Sequence, residues 1–160
     1  MQISTSHEYA ATPDQVAAML LDRDFLEKVA ARAGAKSATI HTEGNQAELT
    51  LHLNPPSSVA GFIGKELRFT QVMSWDEPGN LPRRGTVEVS VHGMPVTMNA
   101  QGRLSPTEEG TLASYEGELV VKVPLIGKKL EREAEPFIRA ALNAQAEVGK
   151  EWLAGRHSTK

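Results

Sequence analysis

Between Gln2 and Tyr9 the chain alternates. Ile3, Thr5, His7 and Tyr9 take one set of positions and Gln2, Ser4, Ser6 and Glu8 the other, the period-two pattern of a strand with two unlike faces. The period then changes. Thr12, Pro13 and Gln15 supply an N-cap, a first-turn proline and a capping-box partner, and Val16, Met19 and Leu20 follow at helical spacing, so a helix is predicted to start at Thr12. A second short helix is predicted over Phe25 to Arg32, with Phe25, Leu26 and Val29 as its apolar stripe and Gly34 placed to stop it.

The next segments pass a test of hairpin register. A tight turn at Gly44-Asn45 pairs Thr42 with Ala47, Ile40 with Leu49 and Ala38 with Leu51 on one face, and His41 with Glu48 and Ser37 with His52 on the other, as a half-solvated sheet requires. A tight turn at Gly93-Met94 likewise pairs Val91 with Val96, Val89 with Met98 and Val87 with Ala100. Between these hairpins, Leu67, Phe69, Gln71, Met73 and Trp75 form one face of another strand, closed by a loop from Asp76 to Arg84 that contains Pro78, Gly79 and Pro82. The last strand is predicted over Leu112 to Val123, with Tyr115, Gly117, Leu119, Val121 and Val123 on one face. The pattern totals seven strands, antiparallel throughout.

The closing segment, Leu125 to Leu153, would span about 43 Å as one helix at about 1.5 Å per residue. Ile138, Ala141, Gln145, Val148 and Trp152 share one face, whereas Arg139, Asn143, Glu147, Lys150 and Glu151 lie on the other. Pro136 lacks an N–H and clashes with the carbonyl of Arg132, which predicts a kink or a fresh start there. Lys128, Lys129, Glu131, Arg132 and Glu133 alternate in sign and read as a solvated face with helical ion pairs.

This order, strand, two short helices, six strands and one long helix, resembles the START-like superfamily, also called the birch-pollen-allergen-like or helix-grip fold. Three stretches carry the resemblance: the opening Tyr9-Ala10-Ala11-Thr12-Pro13-Asp14-Gln15-Val16, the passage Lys122-Val123-Pro124-Leu125-Ile126-Gly127-Lys128-Lys129-Leu130-Glu131, and the closing Glu151-Trp152-Leu153. They are similar to an uncharacterised bacterial branch of that superfamily. The expected fold is therefore α+β, a seven-stranded curved antiparallel sheet around a long C-terminal helix, with two short helices between the first and second strands and residues 1–160 as a single START-like domain. The resemblance further implies a cavity between sheet and long helix, used across the superfamily for lipids, sterols and polyketides and in some branches for ring cyclisation.

On this register the inward positions of the sheet include His7, Tyr9, Gln71, Met73, Trp75, Met98 and Tyr115, facing Phe137, Ile138, Ala141 and Gln145 of the helix. A mostly apolar wall with a few polar groups suits a small hydrophobic ligand, lipid-like or polyketide-like. The same residues could equally fill a core, which would leave a protein-interaction module. Gly102, Gly117, Ala100 and Ala141 sit on these inner surfaces, where small side chains leave volume or permit the bending of a gripping sheet. His7 and Tyr115 are the candidates for proton transfer in a cyclase or dehydratase, although no inward carboxylate orients His7 and a histidine hydrogen-bonded to Tyr115, Gln71 or the backbone is the plainer expectation.

Composition narrows the partners. Hydrophobic residues make up 40% and charged residues 23%, too apolar for a disordered chain. The formal net charge of -3 offers no basic field to attract nucleic acid phosphates or anionic lipid, so neither is expected as a partner. The absence of cysteine removes disulfides and thiolate chemistry. The longest purely apolar run, Val16 to Leu21, is six residues, against the roughly 20 that a spanning helix needs. With no secretory signal in the opening strand, the expected location is the cytoplasm, without integral membrane association. His41, His52, His92 and His157 fall on outer faces, a turn edge or the tail, so no metal site and no cofactor are expected. Gly61-Phe62-Ile63-Gly64-Lys65-Glu66 and Gly127-Lys128-Lys129 both fail the requirements of a phosphate loop, and no Gly-x-Ser-x-Gly elbow is present.

Overall fold

The computed structural model describes residues 1–158, with side chains described through Gly155. The chain runs β1 (Gln2–Tyr9), α1 (Pro13–Leu20), α2 (Arg23–Arg32), β2 (Ser37–Glu43), β3 (Gln46–Leu53), α3 (Ser57–Ile63), β4 (Leu67–Trp75), β5 (Arg83–Val91), β6 (Val96–Thr107), β7 (Gly110–Val121) and α4 (Gly127–Ser158). The side chain of His157 lies outside the described residues.

The seven strands form one antiparallel sheet in the order β1-β7-β6-β5-β4-β3-β2. Strands β2 to β7 follow one another as a meander, and β1 pairs with the last of them, so β1 and β2 lie on opposite edges. Helices α1 and α2 make the one connection that must cross from edge to edge. Helix α4 packs against α2, β7, β1 and α3, placing it over the inner face of the sheet.

Local chemistry explains most boundaries. Thr12 accepts from the Gln15 N–H at 3.2 Å while Gln15 Oε1 accepts from the Thr12 N–H at 2.9 Å, the reciprocal capping box of α1. Helix α2 starts at Arg23, earlier than the periodicity indicates, because Asp22 accepts from the N–H groups of Asp24 and Phe25 at 2.8 and 3.1 Å. The first hairpin pairs Thr42 with Ala47, Ile40 with Leu49 and His41 with Glu48, around Gly44 at φ +57. The second keeps its expected register, Val89 opposite Met98 and Val87 opposite Ala100, but the strands end at Val91 and Val96 and the connection spans residues 92–95. Pro95 has no N–H to extend the ladder inward from such a turn.

Other expectations change. Strand β5 begins at Arg83, which shortens the preceding loop, and β7 runs from Gly110 to Val121 rather than from Leu112 to Val123. Helix α3 has no counterpart in the sequence pattern; its N-cap Pro56 makes no side-chain bond and it buries Val59 alone, so it carries neither capping nor periodic signal. Helix α4 continues through Pro136 as one element, without a fresh start. Glu131 is not on a solvated face. It is 8% exposed and accepts from the Val121 N–H and the Met1 ammonium, both at 3.1 Å, and these contacts, led by the Val121 bond, hold its carboxyl below the usual range.

A buried guanidinium ties three connections together. Arg83, 3% exposed, donates to Asp14 at 3.1 Å, to the Asp76 carbonyl at 2.7 Å and to the Asn45 side chain at 3.3 Å. The first turn of α1, the β2–β3 turn and the segment after β4 thereby share one anchor. Among the described residues no helix is long and apolar enough to cross a membrane.

Candidate functional site

The space between sheet and α4 divides into a filled end and a hollow end. Along β4, Met73 and Trp75 are buried, whereas Phe69 and Gln71, on the same inward face, stay partly open. The same division recurs on β5 between buried Val87 and partly open Val89 and Val91, and on β6 between buried Ala100 and partly open Met98. On α4 the buried residues Ala146, Val148 and Leu153 lie over the filled end, while Phe137, Ile138 and Leu142 are only half-buried and Ala141 is exposed. Inward-pointing apolar side chains that remain accessible mark an interior that the protein does not fill itself.

The filled end is occupied by aromatic rings. Trp75 and Tyr115 meet edge to face with centroids 6.2 Å apart, and a Cβ at Gly102 would lie 2.7 Å from Trp75 Cη2 and 3.2 Å from Tyr115 Cε1. A Cβ at Gly117 would press on Ala100 at 2.8 Å. The expectation that Gly102, Gly117 and Ala100 leave volume is therefore corrected: these small residues make room for rings and for close strand approach. Ala141 is different, because the space beside it is open.

The hollow end is a cavity of ≈ 200 Å³. Leu49, Leu51 and Leu53 of β3 and Phe69 and Gln71 of β4 form its floor, and Phe137, Ile138, Ala141 and Gln145 of α4 form its roof. Leu26 and Ala30 of α2 close one side, and Val59 and Ile63 of α3 another. Among the described residues, no charged side chain lines it; Gln71, Gln145 and Thr97 are its polar groups. Neither glutamine side chain has a hydrogen-bond partner within the described structure, so both amides can meet a ligand.

The sequence-derived candidates separate accordingly. Gln71, Met98, Phe137, Ile138, Ala141 and Gln145 converge on the cavity. His7, Tyr9, Met73, Trp75 and Tyr115 do not line it. Tyr9, Met73, Trp75 and Tyr115 are buried at the filled end, and His7 is half-buried on β1, its Nε2 3.3 Å from Thr5 Oγ1. Desolvation and then Lys150 lower the His7 pKa, leaving it neutral near pH 7, and burial pushes the Tyr115 phenol far above its ordinary value, leaving it a neutral donor. Trp75 Nε1, Tyr115 Oη and Trp152 Nε1 are buried without a hydrogen-bond partner among the described residues. Among the described residues, no three His, Asp or Glu side chains group to hold a metal ion.

Sequence reasoning misses the contributions of α2 and α3 to the wall. For β3 the signal is present, since the hairpin register places Leu49 and Leu51 on an inner face.

A curved antiparallel sheet gripping one long helix over an apolar hollow is the START-like, birch-pollen-allergen-like architecture. The chain belongs to the family described as Protein of unknown function (DUF2505), which it matches over residues 4–153. No curated protein matches its sequence. Among solved structures it is similar to TTHA0849 from Thermus thermophilus, with TM-score 0.70 and 14% identity over 98% of this chain and 99% of that one. It is also similar to StfQ, a di-domain ARO/CYC from the steffimycin biosynthetic pathway, with TM-score 0.69 and 12% identity over 98% of this chain and 52% of StfQ, about half of the di-domain protein. Norcoclaurine synthase from Thalictrum flavum, a point mutant in complex with a transition-state analogue, gives TM-score 0.65 and 17% identity over 98% of this chain and 96% of that one.

Proposed function

We propose that this chain is a single START-like domain, residues 1–160, that binds a small hydrophobic molecule, lipid-like or polyketide-like, in the cavity between the sheet and α4. The observation that carries this reading is the hollow end itself: an uncharged apolar space of ≈ 200 Å³, several of whose lining side chains, Phe69, Val89, Met98 and Phe137 among them, stay partly accessible. An apolar cavity of about 150 Å³ suffices for benzene. The available space therefore suits a compact ligand of one or two rings, or a short chain. Burial supplies the affinity, and the unpartnered amides of Gln71 and Gln145 orient one polar end.

Two of the similar folds give this reading chemical company: StfQ belongs to a biosynthetic pathway, and norcoclaurine synthase holds a transition-state analogue. A cyclase or dehydratase reaction would need an acid–base pair at the cavity wall. His7 and Tyr115 are not there, so binding is the better-supported role. The cysteine-free chain suits the cytoplasm. Native mass spectrometry of protein purified from its own host tests the proposal. A retained apolar small molecule, absent from a Gln145→Trp variant that plugs the roof, supports it; a bare protein that also takes up no apolar probe contradicts it.

A further inference from the structure

Among the described residues, the exposed large hydrophobic side chains are Phe62, Leu81, Leu125 and Ile126. Three of these four gather at one end of the molecule. Phe62 lies on α3, and Leu125 and Ile126 lie in the turn between β7 and α4. Val59 and Ile63 of α3 pack with Val121, Val123 and Leu130, which flank that turn.

The turn is firmly built. The Gly127 N–H donates to the Val123 carbonyl at 2.9 Å, the Lys122 N–H donates to the Pro95 carbonyl at 2.9 Å, and the Leu130 N–H donates to the Ile126 carbonyl at 3.0 Å. Gly127 allows α4 to start hard against β7, since a Cβ there would collide with the Val121 carbonyl. Leu125 occupies the left-handed region at φ +73, the one non-glycine residue to do so among those described, and the residue is fully exposed. A left-handed backbone conformation, costly for leucine, that holds an apolar residue in water is retained only where the surrounding structure or a partner compensates.

The charges within the turn segment itself are of one sign. From Lys122 to Leu130 the charged residues are Lys122, Lys128 and Lys129, with no acidic side chain among them, and the next one, Glu131, is buried against Val121 and Met1. After α3 come Lys65 and then Glu66, whose carboxylate lies 2.9 Å from His52 Nε2. The net charge of -3 describes the whole molecule, but a surface feels charges within about 8 Å at physiological salt. Locally this tip is apolar with an excess of positive charge, although Lys129 lies 4.0 Å from Glu133. It also adjoins the hollow, because Val59, Ile63 and Val96 serve both the cavity wall and the cluster beneath the turn.

We propose that this tip docks on an anionic lipid bilayer, with Leu125, Ile126 and Phe62 entering the interface and Lys122, Lys128 and Lys129 meeting acidic headgroups. The pattern is that of a peripheral contact in which shallow apolar insertion and electrostatic attraction act together. The proposal goes beyond ligand binding and does not depend on what the cavity holds.

Co-sedimentation of the full chain with phosphatidylcholine vesicles, with and without phosphatidylserine, tests it. The protein is expected to bind the phosphatidylserine vesicles and to be released by salt. Leu125→Asp with Ile126→Asp should lower partitioning about tenfold or more, and each of Lys128→Gln and Lys129→Gln by about fivefold. Because the substituted side chains are exposed, thermal melts of these variants should match the parent and exclude misfolding as the cause. No binding to phosphatidylserine vesicles, equal binding by the double aspartate variant, or a concentration-dependent dimer that this variant dissolves would each overturn the proposal.

Discussion

Replacing Ala141 with phenylalanine distinguishes a hollow interior from a packed one. Ala141 faces the sheet from the middle of α4 yet is exposed, because the space in front of it is the cavity of ≈ 200 Å³. The new ring is benzene-sized, and an apolar cavity of about 150 Å³ accepts benzene. In a packed core the added ring would cost roughly 1 to 3 kcal/mol or more through overpacking. In the cavity it escapes that cost, and the apolar area it removes from water is offset by lost rotamer freedom, so stability should change by less than about 1 kcal/mol in either direction. Gly102→Ala is the counterpart at the filled end. It adds a single carbon, 2.7 Å from Trp75 Cη2, and should destabilise by about 1 to 3 kcal/mol. Urea unfolding followed by tryptophan fluorescence, paired with titration of an environment-sensitive apolar fluorophore, reads both effects. Ala141→Phe should keep its midpoint and lose the probe, whereas Gly102→Ala should lower its midpoint and keep the probe. A loss above about 3 kcal/mol in Ala141→Phe with probe uptake unchanged would refute the cavity as the binding site.

Two further outcomes concern the framework. Asp14→Ala leaves the buried Arg83 guanidinium without its carboxylate; because Asp14 itself is partly solvated, the expected cost in denaturant unfolding is about 1 to 3 kcal/mol, and a neutral result would contradict the anchoring role given to Arg83. Glu131 has a folded-state pKa below its ordinary 4.5, chiefly through the Val121 N–H, so the folded state binds its proton less readily than the unfolded chain. Its stabilisation is present above 4.5 and is lost as pH falls through the lower folded value. The stability gap between the parent and Glu131→Gln should accordingly shrink on acidification from neutral pH, and a gap that widens would reverse the sign of the argument.

The fold is legible wherever one face of an element is buried and the other wet. Register follows from period-two alternation because a slip of one residue moves every side chain to the other face, and the pairs Ile40–Leu49 and Val89–Met98 are fixed in this way. Helix α3 is not legible, since a seven-residue helix with a proline N-cap and one buried side chain has no period to read. Glu131 and Arg83 escape sequence reading for a related reason: a charged residue reads as solvated until its partners, Val121 and Met1 or Asp14 and Asn45, are brought together from distant parts of the chain. For the site, sequence identifies which faces point inward but not where packing stops. Met73 and Gln71 are two residues apart on one face, and the boundary between filled and hollow falls between them because Trp75 and Tyr115 fill only one end. Six of the eleven candidates line the cavity, while the remainder share their inward face but lie beyond that boundary.

The most direct test is a methyl-labelled nuclear magnetic resonance titration with a compact neutral apolar ligand such as naphthalene. The account predicts saturable shifts at the methyl groups of Leu49, Leu51, Val89, Leu119 and Ile138, which face the cavity, and none at Val16, Leu20 and Leu104, which are fully buried away from it. No saturable shift, or shifts centred on Leu104 and Val16, would contradict it.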